Sequence, residues 1–280
     1  MTDPDWIARP FPGLQLMREG AVLVVTINRP ERRNAVDLPT ARALHACFKA
    51  FDGDERLAVA VLTGANGHFC AGADLKALPD ENSRERVRMG DFGPMGPTRL
   101  VLGKPAIAAV EGYAVAGGLE LAIWCDLRVV GEGAVFGVFC RRFGVPLIDG
   151  GTVRLPRLIG HGRAMDMILT GRSVDAREAL TIGLASRLVP RGQALTEAIA
   201  LGRALARYPQ TCLRHDRLSA IQQWALSEKD ALLNEYRLGC ETLASGEALQ
   251  GAMAFQAGHG RHGANRDADR LSGKGEGNPV

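Results

Sequence analysis

The sequence predicts an α/β body followed by a purely helical end, on three observations. Short β-branched runs alternate with segments of helical periodicity through most of the 280 residues. These runs are bounded by proline- or glycine-containing breaks, as buried strands are. Beyond about residue 190 only helical stripes remain.

The first run is residues 21–27 (AVLVVTI), a buried strand stopped by Asn28, Arg29 and Pro30. Residues 40–51 place apolar side chains at 44, 47, 48 and 51, which is helical spacing. Residues 59–63 form a second strand, closed by the turn-forming GANG at 64–67. Residues 106–110, entered through Lys104 and Pro105, are a third, and residues 127–130 a fourth. Strand and helix in alternation imply parallel pairing with right-handed crossovers.

In the helical end, Leu195, Ala198, Ile199, Gly202, Leu205 and Ala206 share one helix face, and Leu232, Leu233, Tyr236, Cys240 and Leu243 make a similar stripe. Some 65 residues cannot enclose a large core alone. This end is expected to pack on the body or on a neighbouring subunit. The residues after Gly258 lack apolar periodicity and are expected to be mobile.

Composition narrows the function. Lys+Arg 34 against Asp+Glu 31 gives a net charge of +3, too balanced for a nucleic-acid or polybasic membrane binder. The N-terminus carries early acidic residues and no apolar run, so it reads as no secretory signal. No apolar stretch is long enough to span a bilayer. The six cysteines form no CxxC pair and are expected to be buried free thiols in a reducing cytoplasm. Glycine is the outlier: 34 of 280 residues, about 12% against a usual 7%.

Several familiar patterns carry no weight. The GxGxxG at Gly258, Gly260 and Gly263 follows a helix and leads into a polar tail, the wrong context for a dinucleotide turn. No P-loop, GxSxG elbow or HExxH is present, and no metal site is expected. His259 and His262 read as solvated, and His68 beside Cys70 reads as packing because no third group orients the pair.

Two glycine-rich turns are informative: Phe69-Cys-Ala-Gly-Ala-Asp74 and Gly112-Tyr-Ala-Val-Ala-Gly-Gly-Leu-Glu120. Each follows a strand and leads into a helical pattern. Their small residues let backbone N–H groups approach a ligand, and a helix starting near Gly117 adds unsatisfied N–H groups of its own. Facing each other, the turns would hold one oxyanion between two donors. The alternative is that the glycines only allow close helix–sheet packing. Glu120, just inside the second helix, favours the catalytic arrangement.

These segments resemble the crotonase superfamily, the enoyl-CoA hydratase/isomerase proteins. The matching stretches are Asn28-Arg-Pro-Glu-Arg-Arg-Asn-Ala35, residues 69–76, 104–113, 116–126 and 150–155, continued by 169–171 and 179–184. The likeness covers roughly residues 12–257. It implies a spiral of ββα units, residues 1–195 as the core and 196–257 as a C-terminal helical region that builds trimers or dimers of trimers. It also implies a CoA-thioester substrate and no separate cofactor.

Carried over residue by residue, the resemblance makes the N–H groups of Ala73 and Gly117 the oxyanion hole. It puts Arg32, Ala35, Ala71, Asp74, Leu75 and Lys76 at CoA contacts, with Lys76 either a phosphate contact or a solvated lysine. Phe255 matches an aromatic placed against CoA. The lysine expected three residues later is Gly258, with Arg261 a possible substitute. Glu120 matches the first of two catalytic glutamates, a carboxylate able to move protons beside an apolar pocket. Cys140 stands where the second is expected, and a mostly neutral thiol is a poor substitute. Asp149 is a secondary acid–base candidate or a helix cap before Gly150, with Arg141 and Arg142 as candidate partners for it or for a carboxylate on the acyl group.

The expectation is therefore an enoyl-CoA hydratase/isomerase-type enzyme working through an oxyanion-stabilised enolate. Double-bond isomerisation, decarboxylation or thioester hydrolysis on the same fold is the alternative that Cys140 opens. A non-catalytic acyl-CoA-binding oligomer is the alternative of another class.

Overall fold

The strands expected from the β-branched runs all form, and they lie side by side. The computed structural model describes residues 6–77, 79 and 90–259. β1 (Leu14–Glu19) and β2 (Val22–Ile27) make an antiparallel hairpin. Parallel pairing then adds β3 (Val59–Gly64), β4 (Ala106–Val110), β6 (Leu127–Gly131) and β9 (Arg187–Val189), in the order β1-β2-β3-β4-β6-β9. A smaller sheet joins β5 (Tyr113–Val115), β7 (Val135–Gly137) and β8 (Ser173–Asp175), in the order β5-β7-β8. The helices are α1 (Leu38–Gly53), α2 (Gly117–Trp124), α3 (Gly151–Ile159), α4 (His161–Thr170), α5 (Ala176–Thr181), α6 (Ala194–Ala206), α7 (Gln210–Gln222), α8 (Glu228–Ala244) and α9 (Glu247–Gln256).

Both faces of the large sheet are covered, which explains why its central strands are largely apolar. Leu23, Val25, Ile27, Ala60, Leu62, Ala108 and Val110 turn to one side. There they meet Leu44, Phe48 and Phe51 of α1 and Leu119, Leu121 and Ile123 of α2. The intervening residues Val22, Val24, Val59, Val61, Ile107 and Ala109 turn to the other side, against Ala194, Ala198 and Leu201 of α6. Burying each of the Val, Leu, Ile and Phe side chains is worth about 1.5–3 kcal/mol. α1 starts where the Asp37 Oδ1 accepts the Thr40 N–H at 3.0 Å, with a proline in the first turn.

The packing of α6 bears on the domain boundary. The chain divides into two compact units, Met1–Arg207 and Tyr208–Val280, so the division falls at 207/208 rather than at the expected 195/196. The stripe at 195–206 faces the sheet and joins its helix to the first unit. The second unit contains α7, α8 and α9. Its stripe behaves differently: Leu232, Leu233, Tyr236 and Leu243 are all more than half exposed in the single chain. Apart from Gly258 and His259, the expected tail lies outside the described residues, as does Arg261.

Four of the six thiols are buried (Cys47, Cys70, Cys125, Cys140), whereas Cys212 and Cys240 are exposed, a departure from the expectation for those two; all six are unbridged. Among the described residues no helix is long and apolar enough to cross a membrane, and no group of three His, Cys, Asp or Glu side chains is gathered to hold a metal.

Candidate active site

Isolated bridges between strand-like segments bring the two glycine-rich turns together. Cys70 pairs in parallel with Ala114 of β5, and the Cys70 N–H donates to the Tyr113 carbonyl at 2.8 Å. Three residues further along each chain stand Ala73 and Gly117, so the register carries them forward side by side. Gly72 closes the gap. Its φ is +97°, and a Cβ there would lie 2.9 Å from the Ala116 Cβ and 3.0 Å from the Gly117 nitrogen. Only glycine allows this approach.

The bonding around Ala73 decides where its amide points. On one side Val36 donates to the Gly72 carbonyl at 2.8 Å, and the Asp74 N–H donates back to the Val36 carbonyl at 3.0 Å. In a parallel bridge this pattern turns the N–H of the residue between them, Ala73, the opposite way. Gly117 is the first residue of α2, where an N–H has no partner within the helix. Among the described residues neither the Ala73 nor the Gly117 N–H has a hydrogen-bond partner. Both residues line one cavity of about 150 Å³. Ala116, before Gly117, is held at φ 54°, ψ −124°, a conformation that costs a non-glycine residue about 1–3 kcal/mol and concentrates at functional turns.

The supports of the first turn escaped sequence reasoning. Asn34, buried and at φ 58°, donates to the Ala65 and His68 carbonyls at 2.9 and 2.7 Å. The Arg29 guanidinium donates to the Ala35 carbonyl and pairs with Asp74 at 3.1 Å and Asp37 at 2.8 Å. The Asp74 carboxylate is therefore taken up by Arg29 and by the Lys76 N–H at 3.1 Å. Past Asp74 the described residues 75–77 form a turn, where a helix had been expected. Arg32, Leu75 and Lys76 are exposed, Ala35 is buried, and Ala71 and Leu75 line the cavity. Phe255 is exposed on α9 of the second unit. His68 stacks on Tyr113 with ring centroids 5.2 Å apart, and Cys70 is wholly buried, both packing roles as expected.

Glu120 lines the same cavity and is 2% exposed. It sits on a helix buried on every side, which is why α2 carries no polar face. Its Oε1 accepts the N–H groups of Asp149 and Gly151, at 2.9 and 2.8 Å, where α3 begins. Gly151 makes that possible, since a Cβ there would stand 2.9 Å from Oε1. Burial raises the Glu120 carboxyl first and the charge of Asp149 raises it further. The two amides and the Arg154 guanidinium oppose them, and the net result is a pKa pushed up to about 7 from 4.5. A carboxyl at that value takes up and releases protons near neutrality.

Cys140 also lines the cavity, in the 3-10 turn Phe139–Phe143. Burial and then the charge of Glu120 push its thiol up, so it stays neutral. Asp149 is 4% exposed and borders the cavity. Its Oδ1 accepts the Met95 N–H at 2.9 Å and the Thr98 hydroxyl, so it caps no helix; Gly150 occupies the cap of α3 with no side-chain bond. The arginine pair is not its partner. Arg141 donates to the Ile168 carbonyl at 3.1 Å, and Arg142 donates to that of Gly171 at 2.8 Å while lying over the Phe139 ring. Among the described residues, Arg154 is a cation near Asp149 and donates to its carbonyl at 2.9 Å.

The arrangement thus offers two aimed amides for a developing oxyanion, one carboxyl that titrates near pH 7, and apolar walls including Met95, Phe139, Val145 and Ile148. Comparison with known proteins gives the family. Residues 17–257 match the family model described as enoyl-CoA hydratase/isomerase. The chain is 36% identical to enoyl-CoA hydratase EchA19 of Mycobacterium tuberculosis, over 87% of this chain and 93% of that protein. It is 36% identical to a probable enoyl-CoA hydratase of Rhizobium meliloti, over 88% and 96%. Among solved structures, an enoyl-CoA hydratase from Mycobacterium tuberculosis H37Rv superposes with a TM-score of 0.83 at 36% identity, covering 88% of this chain and 96% of that one.

Proposed function

The chain belongs to the enoyl-CoA hydratase/isomerase family, and from that premise we propose that it adds water across the conjugated double bond of a 2-enoyl-CoA thioester. One observation carries the reading: two unpartnered amides, Ala73 and Gly117, border the same small cavity as Glu120. The thioester oxygen takes the two N–H groups. Ionised Glu120 removes a proton from water as the water oxygen bonds to C3, and the π electrons move onto the thioester oxygen as an enolate. The protonated carboxyl then returns its proton to C2, so one carboxyl serves both transfers. A pKa of about 7 suits both directions, because neither form is far from the ambient pH. The paired donors lower the barrier; one such donor is typically worth about 2.7–4 kcal/mol.

Arg32, Ala35, Ala71, Asp74, Leu75, Lys76 and Phe255 are assigned to CoA. For Asp74 the support is structural, since its carboxylate holds the turn through Arg29 and leaves only backbone to offer. The exposed stripe on α8 supports self-association, as a trimer or a dimer of trimers, which light scattering on purified protein tests. The unbridged thiols support a cytoplasmic setting.

Cys140 favours a second reading. With a neutral thiol beside Glu120, the one carboxyl would shuttle a proton between C4 and C2 of a 3-enoyl-CoA, giving isomerisation without water. Decarboxylation and thioester hydrolysis use the same oxyanion hole. A panel of 2- and 3-enoyl-CoAs incubated in heavy-oxygen water and read by mass spectrometry separates these reactions. The proposal expects heavy oxygen at C3 and its loss in Glu120→Gln. Acyl-CoA binding without turnover of any thioester would instead mark a non-catalytic oligomer.

A further inference from the structure

The segment 93–98, the start of α3 and the acid–base carboxyl of α2 all meet at one residue. Asp149 holds each through a different group. Its carboxylate Oδ1 accepts the Met95 N–H at 2.9 Å and the Thr98 hydroxyl. Its own N–H donates to Oε1 of Glu120 at 2.9 Å. Its carbonyl accepts Nη1 of Arg154 at 2.9 Å, and Nη2 of the same guanidinium donates to the Thr98 carbonyl at 2.6 Å, closing a ring. Thr98, Met95, Glu120 and Asp149 are all less than 5% exposed.

What this ring holds lies over the reacting atoms. Met95 packs on the first residue of α2 so closely that a Cβ at Gly117 would stand 2.6 Å from its Sδ. Gly93 lies equally close beneath the ring: a Cβ there would stand 2.1 Å from the Thr98 Oγ1 and 2.8 Å from the Asp149 Oδ1. The loop 93–96 closes on itself through reciprocal Gly93 and Gly96 backbone bonds of 2.9 and 2.7 Å. Through Met95 and Thr98 it is tied to Asp149.

We propose that Asp149 is the positioning residue of this site, fixing Glu120 through its backbone and the Met95 wall over the Gly117 amide through its carboxylate. The inference rests on the reading of Glu120 as the acid–base group. Asp149 takes no proton from substrate. Fixed by donors from Met95 and Thr98, its carboxylate adds a negative charge beside Glu120 and keeps that carboxyl protonated to higher pH. Among the described residues, the other groups that face Glu120 are the neutral Cys140 thiol of the 3-10 turn and Arg154 of α3. On β6, Arg128 is turned to the Leu184 and Cys125 carbonyls, and on β5 Tyr113 is stacked on His68.

The test reads the Glu120 titration directly, by carbon-13 carboxyl NMR of the full chain, with Glu120→Gln identifying its resonance. Asp149→Asn keeps an acceptor for Met95 and Thr98 but removes the charge, and is expected to move the Glu120 midpoint to lower pH. Arg154→Met removes the opposing cation and is expected to move it to higher pH. In turnover, Asp149→Asn should raise kcat/KM at pH 5.5 relative to pH 7.5 by about threefold or more, half a pH unit in the acidic limb. A midpoint unmoved in either variant, or moved the other way, overturns the proposal. The Glu120→Gln control, in separate turnover assays, reports on the acid–base reading itself. The two ideas therefore fail in different experiments.

Discussion

Gly72 and Gly117 are so close that a Cβ on the first would stand 3.0 Å from the amide nitrogen of the second. That approach joins a turn following β3 to the first residue of α2. The two unpaired amides on one cavity wall depend on it.

Gly72→Val is therefore expected to separate the turns. With φ at +97° and backbone behind the clash, the added side chain has no flexible neighbour to displace. Turnover should fall by about 10²–10³, the loss of one oxyanion donor, with a stability cost of about 1–3 kcal/mol. Steady-state kinetics and thermal melts check both; a fully active variant would mean that the turns need not touch.

Glu120 should weaken the fold in exchange for its chemistry. Its folded pKa of about 7 lies above the ordinary 4.5, so between those values the native state binds more protons than the unfolded chain. Stability attributable to this group falls as pH rises through that window. Glu120→Gln, which keeps an acceptor for the Asp149 and Gly151 amides, should be more stable than wild type at pH 8 by up to about 3 kcal/mol. The gain should vanish near pH 4. Denaturant melts across pH decide, and a less stable variant at pH 8 would contradict the assignment.

Gly151→Ala places a methyl 2.9 Å from the Glu120 Oε1 and so displaces the carboxylate from its amides. A shift of about 1 Å at a reacting group costs about 10²-fold in rate. The expected signature is a fall in kcat with acyl-CoA affinity retained, measured by kinetics and calorimetry.

Cys140, neutral beside Glu120, passes no proton in hydration. Cys140→Ala should change kcat by no more than about threefold, under 1 kcal/mol of barrier. Cys140→Glu restores a second carboxyl and should raise hydration. A Cys140→Ala variant as inactive as Glu120→Gln would give the thiol a role that this mechanism lacks.

The legible parts of the sequence were those with repeating local signals. Strands buried on both faces read as apolar runs, and α1, α2 and α6 as helical stripes or helix starts, because those patterns are set by the core they enter. β1 was not read: its residues are exposed or half-buried, and Gln15, Arg18 and Glu19 break the apolar run. β5, β7, β8 and β9 span three residues each, too few for any periodicity. In the site, Ala73, Gly117 and Glu120 stood in recognisable turns. The Arg29–Asp74 pair and the ring of Thr98, Asp149 and Arg154 did not, since Arg29 and Asp74 are 45 residues apart and Thr98 is 51 and 56 residues from Asp149 and Arg154, so that they meet only in the fold. Asp149 was noticed for its chemistry, yet its partners were sought at Arg141 and Arg142, whereas its carboxylate is held by Met95 and Thr98 of a distant loop and its carbonyl by Arg154, five residues on.

The central claim is that the Ala73 and Gly117 amides grip the thioester oxygen. Isotope-edited infrared spectroscopy of a 2-enoyl-CoA labelled at C1, bound to the Glu120→Gln protein, reads that bond without turnover. The account predicts a carbonyl stretch at lower frequency than for the same thioester in water, and reversal of that shift by Gly72→Val. A bound carbonyl that vibrates as it does in solution would contradict it.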